Sequence, residues 1–169
     1  MATSSFVDIV PKDGAPIRIP REAALQSELF RELLEDDVIV DDVVPQLPFT
    51  NLDRPSAIRI TDYLVYHLNN PPKPIEKPLR VKELEDICDE FDLNLVTCEL
   101  PELRDLIIAS DYCMINSLLD LALSAFAIIT REDTLDILSR NFGDIDSATQ
   151  QKILLNNPWI IEYAKSRKD

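Results

Sequence analysis

The stretch from Leu100 to Tyr163 constrains the fold more than any other part of the chain. Leu103, Leu106 and Ile107 fall at i, i+3 and i+4, the spacing of a helix with one buried stripe. From Leu118 to Ile129 apolar residues occupy nearly every face, which predicts a core helix covered on all sides. Two further short helical patterns then carry Leu135, Ile137, Leu138, Phe142, Ile145, Ile153, Leu154, Leu155, Trp159, Ile160 and Ile161. Fully burying one large apolar side chain is worth roughly 1.5–3 kcal/mol, and a two-helix tail has too few residues to hide both of its faces. The expectation is a tail that is loosely ordered alone and folds against a second polypeptide, with Trp159 as an anchor. The other role open to Trp159 is to fold back onto the chain's own core.

Boundary signals divide this stretch into short helices joined by tight turns. Pro101 suits the first turn of a helix. Ser117 with Asp120, Thr130 with Asp133, and Ser147 with Gln150 resemble capping boxes. Gly143 after Asn141 and Phe142 marks a helix C-terminus, and Asn157–Pro158 stops the next helix.

The first half is mixed. Two β-branched runs between Phe6 and Ile19 flank Lys12, Asp13 and Gly14, which predicts a hairpin with Gly14 at positive φ. A helix through Leu29, Phe30, Leu33 and Leu34 follows, with Ser27 as N-cap. The acidic run at 35–42 lacks the DxDxDG spacing of a calcium loop and reads as a solvated loop touching the core through Val38–Val40, so no metal is assigned. Residues 43–49, interrupted by Pro45 and Pro48, predict a short edge strand. Asp53 caps a helix over 54–68 that buries Ile60 and Leu64 and ends near His67, the sole histidine, where a structural role is expected. The patch NNPPKPIEKP at 69–78 predicts extended, solvated chain; its one PxxP-like spacing, Pro71 to Pro74, is the only hint of proline recognition. Val81, Leu84, Ile87, Cys88 and Phe91 predict a helix to about Glu90, followed by a connector or short strand over 92–98.

Composition narrows the function. A chain of 169 residues, 46% hydrophobic and 28% charged, has the makings of a globular core. Its net charge of −14 opposes nucleic-acid and anionic-membrane partners and favours proteins with basic or apolar faces. The longest apolar run, 114–129, is broken by Asn116, Ser117, Asp120 and Ser124 and falls short of a membrane span. Three cysteines without a CxxC pair, and a start without a signal-peptide pattern, lead to the expectation of free thiols in the cytoplasm or nucleus. One histidine and two glycines leave no visible catalytic set and no phosphate cradle, so neither enzyme activity nor a cofactor is expected.

The string LIIASDYCMINSLLDLA, then TREDTLDILSRNFG, then NNPWIIEYA, resembles the Skp family, the adaptors of SCF (cullin–F-box) ubiquitin ligases. The family pattern maps onto Ala109 through Cys113 with Ile115, onto Leu118, Leu119 and Asp120, onto Arg140 and Phe142, and onto Asn157 with Trp159. Asp111 stands where the family usually has asparagine, a usual tryptophan near Cys88 is missing, and a glycine-containing turn reads IITRED, so the resemblance is to a diverged member.

The resemblance implies an α+β fold: a BTB/POZ-like domain over residues 1–129, with a short sheet, surrounding helices and a proline-rich loop at about 69–80, plus a C-terminal helical extension over 130–169. It implies a non-catalytic adaptor that docks a cullin through Asp111 and Tyr112. It places Leu118, Leu135, Leu138, Phe142, Ile145, Ile153, Leu154, Trp159 and Ile160 against an F-box protein. On residues alone Tyr112 could equally be a half-buried structural tyrosine, and Asp111 a cap of the 111–115 turn. An elongin C-like adaptor or a homodimerising BTB module is the competing class, and self-association of the unpartnered chain is left open; the length beyond Thr130 disfavours an elongin C-like chain.

Overall fold

The computed structural model describes residues 5–36, 44–81, 83–130 and 146–156. Residues 37–42 of the acidic run expected at 35–42 therefore lie outside the described residues. β1 (Phe6–Val10) pairs antiparallel with β2 (Ile17–Pro20), Val7 opposite Ile19, and parallel with β3 (Gln46–Pro48), giving the order β2-β1-β3. Period-two alternation sends Val7, Ile9, Ile19 and Leu47 into the core. On the opposite face Arg18 donates to both oxygens of the directly opposing Asp8, at 2.8 and 2.9 Å, and these bonds hold the Asp8 carboxyl below its ordinary pKa. The expected hairpin is present, with Gly14 at φ +84°. A Cβ there would sit 2.7 Å from Cδ of Arg54, whose guanidinium bonds the Ala15 carbonyl while Asp13 Oδ1 accepts from the Arg54 amide at 2.9 Å. The turn is thus pinned to the start of a helix forty residues on. The expected edge strand is present but shorter, because the prolines bracket all the pairing it can make.

A single turn, α1 (Arg21–Ala24), which was not expected, precedes the helix expected after Ser27, α2 (Glu28–Asp36). Ser27 interrupts them by capping the second: its Oγ accepts from the Phe30 amide at 3.1 Å. α3 (Arg54–Tyr66) starts as expected, with Asp53 accepting from the Ser56 amide at 2.9 Å and Pro55 in the first turn. The reading of 81–98 needs correction. Only a 3₁₀ turn (Leu84–Asp86) forms where a helix was expected, and α4 (Glu90–Val96) occupies the supposed connector. Asp89 resets the chain by capping α4 through the Asp92 amide at 2.9 Å, a stronger local signal than the apolar spacing that runs across it.

α5 (Leu100–Tyr112) and α6 (Asn116–Ile129) complete the core. Leu103 and Leu106 are buried and Ile107 packs against them, as their spacing requires. Two details of α6 differ from expectation. Ser117 lies inside the helix, whose N-cap is Ile115 without a side-chain bond, and Leu123, 45% exposed, shows that one face is open. The proline-rich segment is more tightly held than composition suggests: Ile75 packs on the core, Lys73 Nζ donates to the Cys88 carbonyl at 3.1 Å, and Lys77 pairs with Asp120 at 2.7 Å.

His67 closes α3. Its Nε2 lies 2.9 Å from Asp92 Oδ1, its Nδ1 faces the Asn70 carbonyl, and both side chains are buried. Beside it the rings of Tyr66 and Phe91 stack at 3.8 Å, and Tyr66 donates to Asp89 at 3.0 Å.

The chain divides into two compact units, residues 1–131 and 132–169. In the second, α7 (Ser147–Asn156) is capped by Asp146, which accepts from the Thr149 amide at 3.0 Å; the expected Ser147 cap is one residue too late. Leu155 on α7 is 80% exposed. Among the described residues no helix is long and apolar enough to cross a membrane, and no cluster of His, Cys, Asp and Glu could hold a metal.

Candidate docking face

The C-terminal turn of α5 carries Asp111 and Tyr112, both exposed. The helix cannot continue because Met114 takes φ +53°, a left-handed conformation that is rare for a residue of its kind. The reversal sends Cys113 and Ile115 into the core and leaves Tyr112 and Met114 outside. Ile108, one turn before Tyr112 on the same side of α5, is 59% exposed, and Tyr112 is 39% exposed. Together they form an apolar ridge.

The ridge stands on a rigid base. Tyr112 meets Phe49 edge-on with ring centroids 6.1 Å apart, and Phe49 in turn packs on Phe30 at 5.1 Å. Ser27 Oγ donates to the Cys113 carbonyl at 2.5 Å, and the Glu28 amide donates to the Met114 carbonyl at 3.4 Å. The start of α2 therefore satisfies the carbonyls that the αL turn frees. Burial pushes the Cys113 thiol up to about 12, so it serves this base as an inert apolar group.

Beside the ridge lies a cleft of about 480 Å³, walled by Ile108, Ala109 and Tyr112 on one side and by Lys12, Leu52 and Asp53 on the other. Asp53 is engaged at the α3 N-terminus, and the Ser56 amide lowers its pKa. Asp105 is paired with Arg104 at 2.7 Å.

The resemblance-derived residues separate clearly. Asp111 and Tyr112 come together on this surface. Leu118 does not lie on an exposed surface: the third residue of α6 is fully buried in the core of the first unit. Leu135, Leu138, Phe142, Ile145, Trp159 and Ile160 lie outside the described residues, as do the side chains of Ile153 and Leu154. Ile108 was missed by the sequence reading. Its signal was available, since it falls off the buried stripe of α5 and four residues before Tyr112.

No family model matches the chain. Among curated proteins it is 29% identical over 163 residues to the S-phase kinase-associated protein 1 homolog of Tetrahymena thermophila, covering 94% of this chain and 96% of that protein. It is 23% identical to SKP1-like protein 11 of Arabidopsis thaliana, over 95% of this chain and 99% of that one. It is 24% identical to the E3 ubiquitin ligase complex SCF subunit sconC of Aspergillus terreus, over 96% of this chain and all of that one. The likeness runs nearly end to end in each case, and the residues that carry the resemblance at 109–120 lie on α5 and α6, so the chain is similar to Skp-type proteins along almost its whole length.

Proposed function

We propose that this protein is a non-catalytic adaptor that links an F-box substrate receptor to a cullin scaffold in an SCF-type E3 ubiquitin ligase. The observation that supports the proposal is the near end-to-end likeness to Skp-type relatives, one of which is named as an SCF ubiquitin ligase subunit. In this reading residues 1–129 are a BTB/POZ-like domain whose Ile108–Tyr112 ridge, with Asp111, meets the cullin. Residues 130–169 are the F-box-binding extension, with Leu135, Leu138, Phe142, Ile145, Ile153, Leu154, Trp159 and Ile160 in the contact. The protein acts in the cytoplasm and nucleus, where such ligases work.

An exposed ridge of large apolar side chains on a fixed base supports the cullin assignment, since patches of this kind mark protein contacts. Affinity purification from the native cell, read by mass spectrometry, tests the whole reading: a cullin and several F-box proteins are expected, and self-association alone would overturn it. Tyr112→Lys is expected to lose the cullin and keep F-box proteins, and Trp159→Ala to do the reverse. Equal loss of both partners in either variant would refute the division of surfaces.

A further inference from the structure

We infer that Asp111 makes this docking face charge-selective, so that its partner surface is an apolar patch rimmed by lysine or arginine. The inference rests on the reading of the ridge as a cullin contact and adds what that contact discriminates. The carboxylates around the ridge differ in whether they are already engaged. Asp53 caps α3, Asp105 holds Arg104, and Glu102 pairs with Arg59. The Asp111 carboxylate has no such partner: it is exposed at the last turn of α5, beside Tyr112. Glu28, an exposed residue, is joined through its amide to the Met114 carbonyl of the same turn. The apolar ridge thus ends at a carboxylate that no described residue pairs, while a cation beside it, Lys12, lines the cleft on the side of Leu52 and Asp53.

A partner that covers Ile108 and Tyr112 strips water from Asp111. Against an apolar or acidic rim the carboxylate would lose hydration without compensation, whereas a lysine or arginine there recovers it as a charge-assisted bond. Charge at the edge of an interface acts mainly on encounter and on rejection of wrong partners. The chain's net charge of −14 extends the same preference to long range. Where a neutral amide would accept several scaffolds, Asp111 narrows the choice to those with a basic rim.

The test measures association of the full-length protein with its native cullin by stopped-flow at several ionic strengths, for the parent, Asp111→Asn, Asp111→Lys and Tyr112→Lys. Asp111→Asn is expected to bind about three- to fivefold more weakly at low salt and with a flatter salt dependence, the scale of one exposed ion pair. Asp111→Lys is expected to lose at least another threefold, mostly in association rate, while melting and F-box binding match the parent. If Tyr112→Lys abolishes cullin binding and both Asp111 variants keep the parent's affinity and salt slope, charge selection is refuted and the docking face stands. If Tyr112→Lys binds like the parent, the docking face itself is refuted and this inference with it.

Discussion

Replacing Ser27 by alanine removes one oxygen and two hydrogen bonds that serve segments 86 residues apart. Losing the bond to the Phe30 amide uncaps α2, which costs about 1 kcal/mol. Losing the donor to the Cys113 carbonyl leaves a buried acceptor without its partner, at about 1–3 kcal/mol. The sum is about 2–4 kcal/mol, a large share of the roughly 5–15 kcal/mol by which domains are stable. Ser27→Gly separates the two contributions, because glycine at an N-cap costs only a few tenths of a kcal/mol yet leaves the carbonyl just as bare. Urea unfolding of the full chain, followed by tyrosine fluorescence of the first unit, should place Ser27→Ala well below Ser27→Gly and both below the parent. Hydrogen exchange should quicken at the amides of α2 and at the end of α5. A Ser27→Ala variant within about 0.5 kcal/mol of the parent would mean that Ser27 does not couple the two helices.

Three other perturbations address other parts of the first unit. Asp92→Ala strands a buried imidazole, and a stability loss of about 3 kcal/mol or more is expected in urea unfolding, against a much smaller loss for an exposed carboxylate such as Glu85. Acid should unfold the unit from about pH 4 downward. The Arg18 bonds lower the pKa of Asp8, and the Ser56 amide lowers that of Asp53. At Asp89, burial pushes the pKa up, but hydrogen bonds from the Asp92 amide and Tyr66, with the His67 charge, outweigh it and leave the value lowered. Each of the three therefore stabilises above its unfolded value of 3.8 and loses that contribution as pH falls through the lowered folded one; Asp92, whose burial raises its pKa, runs the other way and softens the onset. A circular-dichroism titration flat to pH 2 would contradict this. Burial pushes Cys88 up to about 11 and Cys113 up to about 12, so iodoacetamide at pH 8 should label half-buried Cys98 first and the other two only in urea, as counted by intact mass.

Local chemistry made much of the fold legible. Gly14 named its hairpin, Asp53 and Ser27 their helices, and the 103/106/107 spacing its buried stripe, because each signal acts within a few residues. The misreadings share a cause. Across 81–98 the apolar spacing of Val81 through Phe91 continued past Asp89, and a cap ranks above periodicity where both are present. At Ser117 and Ser147 the capping pattern was right in composition, but the start of each helix was set by neighbours, the αL turn at Met114 and the better-placed Asp146. α6 was read as covered on all sides because leucine and alanine fill every face, yet burial depends on what the fold brings near it. For the proposed docking face, Tyr112 was singled out only through the family resemblance; that its ring meets Phe49 and that Ser27 bonds the Cys113 carbonyl after it are contacts between distant segments, which no local pattern encodes.

Those distant contacts bear on how the ridge can bind. An exposed side chain at a frayed helix end must be ordered when a partner arrives, and each immobilised rotamer-rich side chain costs about 0.5–1.5 kcal/mol of affinity. Tyr112 has only two side-chain torsions and rests edge-on against a buried ring, while the turn that follows it is held by hydrogen bonds to Ser27 and Glu28. Its ordering is accomplished when the chain folds, before any encounter. The positive φ of Met114 belongs to the same arrangement: a helix running on past Tyr112 would carry residue 115 out to solvent, whereas the reversal buries Ile115 and leaves the tyrosine at an abrupt corner. Backbone strain at one methionine, offset by burial of its neighbours, gives the protein a fixed apolar corner, and a fixed corner is what lets a small contact be specific.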